Sequence, residues 1–142
     1  MVDVGEKEES RRTAVAEGLV RMPPDLVERF FVGDLPKGDA AAVARVAGIM
    51  GAKKTSEIVP LCHPIELSSV DISLESAGHG VAITATVSTT SRTGVEMEAL
   101  TAVSAAALTI YDMVKGVERG VTIESVRLRR KEGGRTGTWE RS

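Results

Sequence analysis

The chain has 142 residues, a formal net charge of −2 at neutral pH, 42% hydrophobic and 27% charged residues, and only 3% aromatics. That size and balance predict one soluble globular domain with its own core, and the weak negative charge argues against a nucleic-acid or anionic-membrane partner. The single cysteine, Cys62, excludes an internal disulfide and an iron–sulfur cluster held by the chain's own cysteines, and one Cys with two His makes a zinc site improbable. The first residues lack the apolar segment of a signal peptide, and no apolar run approaches the ~20 residues of a bilayer span, so a cytoplasmic protein is expected. The chain has no Asn and no Gln. Both are thermolabile, so a thermophilic source or a biased genome composition is expected.

Residues 1–12 are charge-dense and read as a flexible N-terminal arm, which leaves 13–142 as a single domain. Residues 14–22 alternate weakly and read as a strand. Pro23-Pro24-Asp25 opens a helix carrying Leu26, Val27, Phe30 and Phe31 at helical spacing, and Gly33 ends it. Asp34 to Gly38 is a loop bearing Lys37. Asp39 suits the N-cap of an Ala-rich helix reaching Ala52. Pro60 to Pro64, P-L-C-H-P, is a proline-bracketed segment predicted to be extended.

The period then changes to two. Val70, Ile72 and Leu74 alternate, residues 77–80 turn, and Val81, Ile83, Ala85 and Val87 alternate again, as in a hairpin. A long helical stretch spans Thr93 to Lys115, with Gly120 closing the region. Val121, Ile123, Val126 and Leu128 form a last strand with one break that suits a bulge. The tail from Lys131 is basic and Gly-rich. The predicted fold class is therefore α+β: a ferredoxin-like split βαβ with an antiparallel four-stranded sheet and helices packed on one face.

The stretch from Thr93 to Lys115 is the most informative. Its helical wheel puts Val95, Leu100, Val103, Ile110, Met113, Val114 and Val117 in one arc of about 140°, the core face. Glu98, Asp112 and Lys115 fall on the other side, among Met97, Thr101, Ala105, Leu108 and Gly116. A solvated face carries scattered charge; this one is small and semi-apolar, so it is expected to pack against another subunit. Asp112 and Lys115 are helical neighbours, either a simple ion pair or an acid–base pair. Glu98 lies about 21 Å from Asp112 along the axis, too far to serve one small reacting centre in the same chain. Cys62 and His63, adjacent in an extended segment, would point to opposite sides and would not form a catalytic dyad. His79 sits in a solvated turn. Lys131 with G-G-R-T-G offers backbone N–H groups for an anion, or is simply a tail.

Several strings occur together: K-G-D (37–39), A-R-V-A-G-I (44–49), A-K-K-T (52–55), P-L-C-H-P (60–64), T-G-V-E-M-E-A-L-T-A (93–102), A-A-L-T-I-Y-D-M-V-K (106–115) and V-R-L (126–128). They closely resemble the molybdenum cofactor biosynthesis protein C family, the cyclic pyranopterin monophosphate synthases. The resemblance implies a lyase that converts 3′,8-cyclo-7,8-dihydroguanosine 5′-triphosphate to cyclic pyranopterin monophosphate and diphosphate. It implies a homohexamer, a trimer of dimers, with sites between subunits. By motif match it places catalysis on Asp112, Lys37 and Lys115, and substrate binding on Leu61, Cys62, His63, Met97, Glu98, Arg12 and Lys131. Arg135 stands where the family commonly has lysine. No obligatory cofactor or metal is implied, although Mg is compatible with the triphosphate. The rival reading is a non-catalytic nucleotide-binding scaffold subunit of the same pathway.

Overall fold

The computed structural model describes residues 1–142. In chain order it contains β1 (Ser10–Arg21), α1 (Pro24–Val32), α2 (Ala40–Lys53), α3 (Thr55–Ile58), β2 (Ser69–Ser76), β3 (Gly80–Ser91), α4 (Glu96–Val114), β4 (Thr122–Glu132) and β5 (Trp139–Glu140). The sheet order is β2-β3-β1-β4-β5, with every neighbouring pair antiparallel. The first four strands have the predicted ferredoxin-like arrangement. The expected strand count is one short: Trp139 and Glu140 pair with Lys131 and Arg130 and add a two-residue edge strand. Alternation cannot reveal a strand that short.

The arm boundary also shifts. β1 starts at Ser10 and pairs with β3 through Ser10↔Ser91, so residues 10–12 are strand. The charges of Arg11 and Arg12 mask that extension in the sequence. β4 carries two register shifts against β1, between Val15/Ala16 and between Leu19/Val20, where one break was expected.

Local chemistry accounts for the helix ends. Proline occupies the start of α1, and Gly33 closes it at φ 78, in the left-handed region. The Asp39 carboxylate caps α2 by accepting from Ala42 N at 3.1 Å. P-L-C-H-P is not extended throughout: Cys62 N donates to Val59 O at 3.1 Å, closing a turn directly after α3.

The core lies between the sheet and α4, whose Val103, Ile110 and Val114, with Val95 at its N-cap, are fully buried against Ala14, Ala16, Val20, Ile83 and Val87. α2 packs on α4 rather than only on the sheet. A Cβ added at Gly51 would lie 2.6 Å from Ala105 Cβ and 3.2 Å from Thr101 O, and one at Gly48 would lie 2.9 Å from Ile72 Cδ1. Small residues on both helices therefore permit close approach, and Thr101 and Ala105 face α2 of the same chain. This corrects the expectation that the whole small face of α4 meets another subunit. Leu108, 63% exposed, remains outside that contact. So do Val43, Val46 and Met50, which share an exposed face of α2.

α4 also corrects the estimate of apolar length. It has 19 residues and a mean hydropathy of 1.3 in its best window, enough by length and composition to cross a membrane. Half of that window is buried inside the protein, as befits a core helix.

Candidate active site

The loop between α1 and α2 is pinned by buried Leu35 and by Gly38 N donating to Leu35 O at 3.0 Å. It carries Lys37 over the last turn of α4. Lys37 Nζ lies 2.8 Å from Asp112 Oδ2, and Lys115 Nζ lies 2.9 Å from Asp112 Oδ1. Each carboxylate oxygen thus holds one lysine. The hydrogen bond from Lys37, then that from Lys115, push the Asp112 carboxyl down to about 2. The group is ionised throughout the neutral range, and any stability it adds is present above pH 3.8 and lost as pH falls from there to about 2. Asp112 is therefore a weak base in the free protein, and the two ammonium groups are the available proton donors. Together with Met113 and Arg119, the cluster lines a cleft of about 180 Å³.

At the other end of α4, Leu61, Cys62, His63 and Met97 line a cleft of about 440 Å³ together with Val2 and Val4 of the arm. His63 Nε2 is 2.7 Å from the Val2 carbonyl. Cys62 and His63 share this cleft because the segment turns, yet no hydrogen bond joins the thiol to the ring. Cys62 Sγ instead donates to Glu98 Oε1 at 3.8 Å, and burial, then the Glu98 charge, push the thiol up. Glu98 is only 3% exposed, which corrects its predicted place on the outer face with Asp112. The turn after α3 covers the first turn of α4. Burial pushes the Glu98 carboxyl up, and its Oε2 is buried without any hydrogen-bond partner.

Arg12 is 7% exposed. Its Nε donates to Ser91 O at 3.1 Å and its Nη2 to Arg92 O at 3.3 Å, so its contacts are carbonyls rather than carboxylates. Lys131 lies opposite Ala14 in the β1–β4 ladder, and Arg12 is two residues from Ala14, so both project on the helix side of the sheet. Arg12 lines a third cleft, of about 470 Å³, and Lys7 lines this one as well as the His63 cleft. The two clefts at this end adjoin.

A family comparison fits this arrangement: the sequence model of the MoaC family matches residues 1–134. The chain belongs to the MoaC family. It is similar to the cyclic pyranopterin monophosphate synthase of Corynebacterium efficiens, 58% identical over 98% of this chain and 90% of the relative. It is 56% identical to cyclic pyranopterin monophosphate synthase 2 of Mycobacterium bovis, over 99% of this chain and 84% of the relative. It is also 56% identical to the cyclic pyranopterin monophosphate synthase of Streptomyces coelicolor, over 100% of this chain and 84% of the relative.

In this MoaC-family chain the ten residues singled out from the sequence divide into two groups. Lys37, Asp112 and Lys115 meet at the C-terminal end of α4. Leu61, Cys62, His63, Met97 and Glu98 gather at its N-terminal end, with Arg12 and Lys131 on the adjoining sheet. About 21 Å of helix separates the groups. Lys7, Ser10 and Arg119 line the clefts without having been singled out. Lys7 and Ser10 sit in a polar stretch that resembles any solvated arm, and Arg119 follows the helix in an ordinary turn.

Proposed function

We propose that the chain is a cyclic pyranopterin monophosphate synthase. In this reading a ribose hydroxyl of 3′,8-cyclo-7,8-dihydroguanosine 5′-triphosphate attacks the α-phosphorus, a P–O bond forms as the hydroxyl proton passes to the departing phosphate, and diphosphate leaves with the electrons of the broken bond. The observation that carries the reading is the Lys37–Asp112–Lys115 cluster in a chain 58% identical to a synthase. Asp112 holds two ammonium groups ready to give protons during the ring rearrangement, and a lysine that has given its proton becomes the base for the next transfer. Arg12, Lys37 and Lys131 supply positive charge to the departing phosphate oxygens. Glu98, with one oxygen unsatisfied, is suited to accept two N–H donors from the aminopyrimidine edge of the substrate.

The 21 Å gap supports a homohexamer, a trimer of dimers, in which the Asp112 end of one subunit faces the Glu98 end of another. The exposed Val43, Val46, Met50 and Leu108 support such an assembly, since a lone subunit would leave them in water. No three His, Cys, Asp or Glu side chains are grouped to hold an ion, so Mg would enter on the triphosphate. The cytoplasm is the compartment in which we place the reaction, next to its nucleotide-derived substrate.

The test is to incubate the purified protein with the cyclised guanosine triphosphate and follow both products. Diphosphate and cyclic pyranopterin monophosphate are expected in equal amounts. Tight binding without diphosphate release would instead favour the scaffold reading.

A further inference from the structure

The turn that follows α4 is held in a way that its stability does not call for. Residues 115–120 are all exposed. The first half of the turn stays on the helix end: Lys115 N donates to Tyr111 O at 2.9 Å, and Val117 N and Glu118 N donate to Val114 O at 2.9 and 3.1 Å. Past Glu118 the backbone leaves the helix, and neither Arg119 nor Gly120 enters any backbone–backbone hydrogen bond. Gly120 N donates to Glu118 Oε1 and Thr122 Oγ1 donates to Gly120 O, both purely local contacts. The hydrogen bond that ties this second half back to the helix comes from Tyr111, whose hydroxyl donates to the Arg119 carbonyl at 3.0 Å. Tyr111, the chain's only tyrosine, packs its half-buried ring against the core, so the hydroxyl has a fixed place. An exposed hydrogen bond adds little stability. What this one fixes is the root of the Arg119 side chain, which lines the cleft of Lys37, Asp112 and Lys115. Each Asp112 oxygen is already taken by a lysine, and no carboxylate lies within ion-pair distance of Arg119. Its guanidinium is therefore the cation of this cleft left free for a ligand.

We propose that Tyr111 is a positioning residue for the ring rearrangement at the Asp112 end of α4, acting by holding Arg119 at the cleft. The inference rests on the proposed synthase reading. Withdrawing a proton from a carbon or nitrogen of the substrate builds negative charge there. A lysine can exchange protons in such a step, whereas arginine stays charged and exchanges none. A guanidinium set in place beforehand stabilises the developing charge without reorganising, which one on a loose turn cannot do. Lys37 and Lys115 then serve as the proton donors, with Arg119 as the standing charge beside them. Tyr111 itself does not line the cleft and works through the turn.

Tyr111→Phe keeps the ring and removes only the clamp, and thermal unfolding matching the wild type confirms that the fold is intact. Tyr111→Phe and Arg119→Ala each lower kcat for cyclic pyranopterin monophosphate formation about tenfold with KM unchanged, because the charge they serve appears only in the transition state. The double variant falls no further than Arg119→Ala alone, since both changes remove the same placed cation. Arg119→Lys keeps a charge and recovers part of the loss. Full kcat in either Tyr111→Phe or Arg119→Ala, or the two losses multiplying in the double variant, overturns the proposal. Amide hydrogen exchange of the full chain reads the clamp without turnover. The peptide covering residues 115–120 exchanges about fivefold faster in Tyr111→Phe than in the wild type, with the core unchanged. Equal exchange overturns the clamp whatever the kinetics. A wild type that turns over no cyclised nucleotide removes the synthase reading and the charge role of Arg119 with it, while the clamp stands or falls on the exchange alone.

Discussion

Asp112→Asn is expected to lower turnover by about 10²- to 10⁴-fold, the range for loss of a positioned proton-transfer system. The carboxylate holds Lys37 at 2.8 Å and Lys115 at 2.9 Å, one on each oxygen. An asparagine keeps the shape but presents one amide N–H₂ to a lysine, so that lysine is repelled and loses its place. Both ammonium groups also lose the negative charge that holds them in place. The side chain is half exposed, so the variant should fold and melt like the wild type. Diphosphate release in single-turnover and steady-state assays reads the effect. A drop in kcat with little change in KM is expected, because the group acts on reacting atoms rather than on affinity. Wild-type turnover in Asp112→Asn would remove the cluster from the mechanism.

Glu98→Gln is expected to gain stability while losing substrate recognition. Burial pushes the Glu98 carboxyl above its ordinary value of 4.5, so folding binds the proton more tightly than the unfolded chain does. The sign follows from linkage: with the pKa raised in the folded state, stability is greatest below pH 4.5 and declines as pH rises through the higher folded value. Glutamine carries no charge to desolvate. Its melting temperature should therefore exceed that of the wild type at pH 7–8, with the gain disappearing below pH 4.5. In the opposite direction, its amide offers a donor where the substrate edge also offers donors. One lost charge-assisted hydrogen bond raises KM about 10- to 100-fold. A functional group that destabilises its own fold is the usual trade between stability and activity. Unchanged KM together with unchanged melting would contradict both the burial argument and the recognition role.

Much of this fold is legible in the sequence, and the misses have physical causes. Alternation at Val70–Leu74 and Val81–Val87 locates the hairpin, Asp39 and Gly33 mark helix ends, and the order of elements yields the split βαβ. Periodicity cannot see β5, two residues long, nor the first residues of β1, whose arginines look solvated. The wheel of α4 separates core from surface correctly for Val103 and Ile110. It misplaces Glu98 because the helix's own pattern carries no record of the Cys62 turn that covers it. Gly48 and Gly51 make α2 ride on α4, so part of the small-residue face serves an intrachain contact rather than an interface. The three-residue cluster is different again. Asp112 and Lys115 are neighbours by helical spacing alone, but Lys37 joins them only through the loop between α1 and α2, and nothing local predicts that meeting.

In the proposed hexamer each site is assembled from opposite ends of α4 belonging to different subunits. Subunit complementation tests it. Asp112→Asn and Glu98→Ala, each inactive alone, are unfolded together, mixed in equal amounts and refolded. If every site takes its Asp112 end and its Glu98 end from different chains, about one site in four is intact, and about a quarter of wild-type diphosphate release returns. Mixed assemblies that remain as inactive as the separate variants would contradict the claim and confine each site to a single chain.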